Sequence, residues 1–280
     1  MIARENPINR LRVVRSLYWS WFFAAALASA AGAQPAQPDY TPRVGQAGKD
    51  VVWVPTPDAM VEKMLDMAKV TANDYVIDLG SGDGRTVITA AKRGARAHGI
   101  EYNPDMVALS KRHAVEAGVA DRATFAKADL FESDFSRATV ITMFLLPQIN
   151  LKLRPKILDL QPGTRIVSNS FTMGDWPPDE TATAGGDCDT WCTALLWIVP
   201  AKVEGRWRLG DGELTLTQTF QKVAGTLKTA SNAAAIQNGR LIGDEIHFTA
   251  AGRDYFGRVS GDTIAGTVNG AAWAARRASR

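Results

Sequence analysis

VIDLGSGDGR, residues 76–85, decides the fold. An apolar run, Val76-Ile77, ends in Asp78, and glycines follow at alternate positions, Gly80, Gly82 and Gly84, interleaved with Ser81 and Asp83. Glycine has no Cβ and tolerates positive φ, so a loop with this spacing turns tightly and presents its backbone N–H groups to a ligand. The stretch that follows, TVITAAKRG, reads as a helix, which makes strand, loop and helix one unit. Dinucleotide sites use a related turn spaced G-x-G-x-x-G. Here the spacing is G-x-G-x-G behind an acidic strand end.

Working outward, HGIEYNP (98–104) reads as a short strand ending in Glu101-Tyr102, with Asn103 as N-cap and Pro104 as first helical residue. Nucleotide-binding α/β folds carry an acidic residue about 20 positions beyond the glycine-rich loop, where it accepts hydrogen bonds from ribose hydroxyls. Glu101 stands at that distance. ATFAKADLF (123–131) ends a further strand in Asp129-Leu130, and ATVITMFLLP (138–147) is a buried-strand run ending on Pro147. In this order the segments resemble the class I S-adenosylmethionine (SAM) methyltransferases. The resemblance implies that Asp78 and the loop Gly80-Ser81-Gly82-Asp83-Gly84 hold the methionine part of SAM, that Glu101 serves the ribose hydroxyls, and that Tyr102 is among the cofactor-binding residues. It implies further that Asp129 accepts the adenine amino group while Leu130 packs on the ring. The run ending at Pro147 has no Asp/Asn-Pro-Pro-Tyr tetrapeptide, the chain lacks the glutamate pair of arginine methyltransferases, and no carboxylate set matches metal-dependent catechol-type enzymes. No nucleic-acid partner and no metal are therefore expected.

The resemblance narrows with VPTPDAMVEKML (54–65), FLLPQINLKLRPKIL (144–158), PGTRIVSNSF (162–171) and MGDW (173–176). Together with the glycine-rich loop these are similar to a protein-lysine methyltransferase family whose eukaryotic members modify the ATP synthase c subunit and an adenine nucleotide carrier. The similarity spans about 150 residues, the size of a typical domain. It implies a protein partner that presents a lysine. A small-molecule methyltransferase, or an exported binding protein that keeps the SAM fold as a scaffold, stays open beside it. Methyl transfer needs a neutral nucleophile held about 3–3.5 Å from the methyl carbon. The expected mouth of such a site is Pro55-Thr56-Pro57, Leu146-Pro147 and Asp175-Trp176, with Trp176 on the lysine stem or its cation and Asp175 taking the proton or fixing the ammonium.

Composition bounds the rest. A hydrophobic content of 46% in 280 residues allows a sizeable core. Residues 1–33 read as a signal peptide, with Arg4, Arg10, Arg12 and Arg15 before the apolar LYWSWFFAAALASA and an A-x-A site at Ala31-Gly32-Ala33. Export, to the periplasm, is the expectation, with no stable membrane span once the signal is removed. An uncleaved anchor, or a cytoplasmic chain that does not use the signal, stays open. Those residues hold four of the 32 basic and one of the 29 acidic side chains, so the remainder is formally neutral and has no basic footprint for nucleic acid. Cys188 and Cys192, in CDTWC, are spaced for neither C-x-x-C chemistry nor a metal cluster. They suit either a small-loop disulfide or two reduced, buried thiols.

The expected fold is α/β, a Rossmann-like class I methyltransferase sheet followed by a small antiparallel β domain, a sandwich or partly open barrel. The expected layout is a signal at 1–33, a Pro-, Gln- and Gly-rich linker at 34–50, the methyltransferase domain at 51–201 and the β domain at 203–278. Pro155 predicts two short helical pieces within QINLKLRPKILDL. ETATA and CTALLWIVPA predict a hairpin that closes the sheet, and after Ala201 short alternating strands are split by Gly-Asp and Asn-Gly turns.

Overall fold

The computed structural model describes residues 40–186 and 188–279. The signal reading at 1–33, and the first part of the linker reading, lie outside the described residues.

The first half alternates helix and strand: α1 (Asp58–Met67), β1 (Tyr75–Leu79), α2 (Arg85–Lys92), β2 (Arg96–Glu101), α3 (Pro104–Glu116), β3 (Ala123–Lys127), β4 (Val140–Met143), α4 (Pro147–Leu158), β5 (Arg165–Asn169), β6 (Glu180–Thr183) and β7 (Thr193–Ile198). These strands form one seven-stranded sheet in the order β3-β2-β1-β4-β5-β7-β6. β1 to β5 are parallel and β7 joins antiparallel to both β5 and β6. The order reverses between β1 and β4, so their carboxyl ends open a crevice, the usual ligand position in such sheets. One face packs Met60, Val61, Met64 and Leu65 of α1 with α2 and α3, and the other packs Ile149, Leu153 and Ile157 of α4.

The helix termini follow local chemistry. Asn103 caps α3, its side chain accepting from Asp105 N at 2.9 Å, with Pro104 at the first helical position. α4 corrects the expectation of two pieces: it is one helix with Pro155 inside it. Pro155 and Leu151, whose carbonyl the proline leaves without a helical donor, both lie on the exposed side, so the missing bond falls on the solvent face of the helix. The buried stripe at Ile149, Leu153 and Ile157 then holds the helix straight through.

The second half is all β: β8 (Gly205–Leu209), β9 (Gly212–Thr219), β10 (Lys222–Lys228), β11 (Ala233–Ala235), β12 (Gln237–Ile242), β13 (Glu245–Ala250), β14 (Arg253–Ser260), β15 (Thr263–Val268) and β16 (Ala271–Ser279). Antiparallel pairing runs from β12 through β16 to β8 and β9, and the β9–β10 ladder closes the ring. Eight strands thus make a complete barrel, with β11 a short flank on β10 beside β12. Of the two β-domain forms expected, it is a barrel, and a closed one. Trp207, Leu214, Leu241, Phe248 and Ile264 fill it.

Barrel and sheet share a seam. Trp176 is fully buried there, stacked on Phe220 with ring centroids 5.7 Å apart, and its Nε1 donates to Gln221 Oε1 at 3.0 Å. Gln221 Nε2 donates to Pro177 O, Trp197 Nε1 to Trp176 O, and Arg240 pairs with Asp179 at 2.6 Å.

Candidate active site

The glycine-rich loop does what its spacing demands. Gly80, Gly82 and Gly84 have φ of 80°, 53° and 84°. Substitution is blocked as well as strained, because a Cβ on Gly84 would lie 2.8 Å from Phe125 Cζ and Ser110 Cβ, and one on Gly82 2.6 Å from Trp53 Nε1. Ser110 Oγ donates to Gly82 O at 2.8 Å and clamps the loop from α3. Gly84 caps α2 and stands behind the cleft rather than on its wall.

Asp78, Gly80, Ser81, Gly82, Asp83, Glu101, Tyr102, Asp129 and Leu130 line one cleft. Asp78 is buried, and Thr142 Oγ1 donates to its Oδ1 at 2.7 Å. Burial pushes its carboxyl up to about 7; the Thr142 hydroxyl opposes this, and the charges of Glu101 and Asp83 add to it. Glu101 is aimed by two backbone donors, Gly82 N to Oε2 and Asn103 N to Oε1, both at 2.9 Å. Asp129 accepts from Phe131 N and pairs with Lys49, which holds its carboxyl below the usual range.

Asp83 is gripped by Arg85, Nη2 to Oδ2 at 2.7 Å, while Arg85 Nη1 donates to Thr56 O at 2.9 Å. That bridge carries Pro55 and Thr56 to the cleft wall, where both stand. The remaining mouth residues do not join them. Pro147 opens α4 outside the cleft lining. Asp175 is exposed and paired with Arg154, and that pairing holds its carboxyl low. The Trp176 expectation is corrected: its ring is sealed in the seam with the barrel and faces no acceptor.

The stretch read as the end of a linker folds over the cleft instead. Gly45 N donates to Trp53 O, Trp53 N to Gln46 O and Gly48 N to Val51 O, making a strap whose residues Gln46 to Val54 line the cavity. Lys49 reaches Asp129 and lies over the Tyr102 ring, 5.1 Å from its centroid. The sequence carries no strap signal because the contacts that pin it are backbone bonds and side-chain contacts to distant residues, Trp53 on Gly82 and Lys49 on Asp129 and Tyr102.

The residues fit SAM. The buried Ser81 Oγ has no protein partner, the carboxylates of Asp78, Glu101 and Asp129 stand on the cleft wall, and the loop is a cradle that a Cβ would fill. Cys188 and Cys192 are joined in a disulfide. Among the described residues no cluster of three or more His, Cys, Asp or Glu could hold a metal, and no helix is long and apolar enough to cross a membrane.

Residues 78–180 match the family described as the ANTKMT methyltransferase domain. A "Protein-lysine N-methyltransferase" from Saccharolobus islandicus (strain REY15A) is 46% identical over 133 residues, 46% of this chain and 83% of that protein. A lysine N-methyltransferase of Mus musculus, named for the c subunit of ATP synthase, is 38% identical over 48% of this chain and 55% of its own length. A crystal structure of an "RNA methyltransferase from Salinibacter ruber in complex with S-Adenosyl-L-homocysteine" is 48% identical with a TM-score of 0.50, over 54% of this chain and 96% of that one. The chain thus spans most of the archaeal protein but little more than half of the mouse one.

Proposed function

The chain belongs to the ANTKMT methyltransferase family, and from that premise we propose that it is a SAM-dependent protein-lysine N-methyltransferase acting on the Nζ of a lysine presented by a protein. The observation that carries this is the 46% identity to a protein-lysine N-methyltransferase across 83% of that protein's length. When bound, SAM supplies an electrophilic methyl group. Asp78, the glycine loop, Glu101 and Asp129 would hold it, with Ser81 Oγ free to add a hydrogen bond. The chain's remaining task is to seat a neutral amine. A lysine ammonium titrates near 10.4 and gives up its proton more readily where water is excluded. Val54, Pro55, Phe144 and Leu145 line the cleft with apolar surface suited to that.

A second reading comes from the Salinibacter ruber relative, whose printed name is an RNA methyltransferase. Against it stands the end of β4, which reads Phe144-Leu145-Leu146-Pro147 and lacks the Asp/Asn-Pro-Pro-Tyr element for base amines. The test is to incubate purified protein with radiolabelled SAM and, separately, the protein and RNA fractions of cells lacking the gene. The expected result is label in protein, located on lysine by mass spectrometry. Label confined to RNA would replace the proposal with the second reading.

The compartment is part of the same proposal. Export is supported by the basic and apolar segments before Ala33 and by the Cys188–Cys192 disulfide, which suits an oxidising environment. Recovery of native chains that still begin at Met1 from the soluble cytoplasm would reject it.

A further inference from the structure

Three aromatic rings meet where β4, β5 and the loop before β7 end. Phe144, the first residue past β4, lines the SAM cleft. Its ring lies 5.8 Å from that of Phe171 and nearly parallel to it. Trp191 completes the triangle, 5.9 Å from Phe144 and 5.2 Å from Phe171, tilted against both. These rings sit at the carboxyl ends of the central strands, continuous with the cleft through Phe144.

Trp191 gains little for folding. It belongs to none of the three buried clusters and is 45% exposed. Its backbone lies in the left-handed region, φ 59°, which bulky L-residues rarely adopt. The disulfide brackets it: Cys188 and Cys192 pack against the α1 face of the core and tie off the five-residue loop that carries the ring. Asp189, on the same loop, is exposed. An exposed indole held in an unfavoured conformation, beside a cofactor cleft, is placed for a ligand.

We infer that Phe144, Phe171 and Trp191 form the track that receives the acceptor lysine, and that the Cys188–Cys192 clasp positions Trp191 on it. This rests on the lysine reading above and adds the residues that would select the acceptor. The methylenes of a lysine stem match the ring faces, and the ammonium is attracted to their π surfaces before it enters the apolar end of the cleft. Asp189 draws the cationic side chain to the loop. The role assigned to Trp176 from sequence thus passes to the tryptophan enclosed by the two cysteines.

The experiment uses the full chain, radiolabelled SAM, and total protein from cells lacking the gene as acceptor. Trp191→Ala is expected to raise the half-saturating acceptor concentration roughly tenfold, while SAM affinity by calorimetry and the maximal rate change less than about threefold. Trp191→Phe, which keeps a ring, recovers most of the loss. Cys188→Ser with Cys192→Ser falls between wild type and Trp191→Ala. An acceptor requirement in Trp191→Ala within about twofold of wild type overturns the inference while leaving the lysine reading intact. A parallel fall in SAM affinity also overturns it, because the triad would then be supporting the cofactor site. Wild-type protein that labels no lysine overturns both.

Discussion

Burial lifts the Asp78 carboxyl to about 7, so this one side chain changes charge across physiological pH. The sign of the consequence depends on the state considered. In the unfolded chain the group titrates near 3.9, so between roughly pH 4 and 7 the folded protein alone keeps the proton, and stability falls as pH rises through that window, by up to ~4 kcal/mol at 1.36 kcal/mol per unit. Cofactor binding runs the other way, because the ionised carboxylate is the form that attracts the cationic methionine end of SAM. SAM affinity measured by calorimetry is expected to tighten roughly five- to tenfold from pH 6 to 7.5. Asp78→Asn should abolish that slope; a wild-type affinity flat over the range would show that Asp78 does not titrate there. Asp78, the alternating glycines and Glu101 were legible from sequence because their chemistry is local: a strand end, a turn and a fixed spacing. Trp176 and Trp191 were not, since an isolated tryptophan carries no period. Which of them is buried depends on Phe220 and Gln221, far along the chain.

Between elements, the strap and the glycine loop work as a pair. Trp53 packs where a Cβ on Gly82 would be, and Arg85 ties the loop to Thr56 just beyond the strap. Gly82→Ala must therefore move the indole and also hold φ near 53°. The expected outcome is a SAM affinity at least ~10-fold weaker, with a stability loss of only about 1–2 kcal/mol in denaturant titration. Unchanged SAM affinity would mean that the strap is not part of the cofactor site. The strap itself escaped sequence reading: proline, glutamine and glycine signal departure from periodic structure, and they do so equally for a free linker and for a loop pinned by hydrogen bonds. Pro155 misled for the opposite reason. Its local rule is sound, but the buried stripe of α4 outweighs one missing bond on the solvent side.

Across the whole molecule, the sheet relies on the barrel to cover Trp176. Stacking on Phe220, the bond to Gln221 and the Arg240–Asp179 pair all cross the seam. A chain ending at Ala201 would expose that ring and leave its N–H without a protein partner, a change comparable to deleting a buried aromatic at about 3–5 kcal/mol. Such a fragment is expected to melt roughly 10 °C below the full chain. Equal melting temperatures would show that the seam adds nothing. Alternating strands and Gly-Asp turns made the β domain legible as strands. Its closure was not, because ring closure is a pairing of distant segments, and β16, AAWAARRAS, has too little alternation to read as a strand.

The join between β8 and β16 has a consequence for a chain that emerges N-terminus first, whether from the ribosome or across a membrane. The catalytic sheet has all of its strands once Ile198 has emerged, but the ring has no complete form until Ser279 follows. During that interval the nascent barrel is an open meander with two bare edges, the state in which neighbouring chains pair with one another. Emergence in one direction thus leaves the second half to close last, and a chaperone that shields strand edges would act on it until β16 arrives.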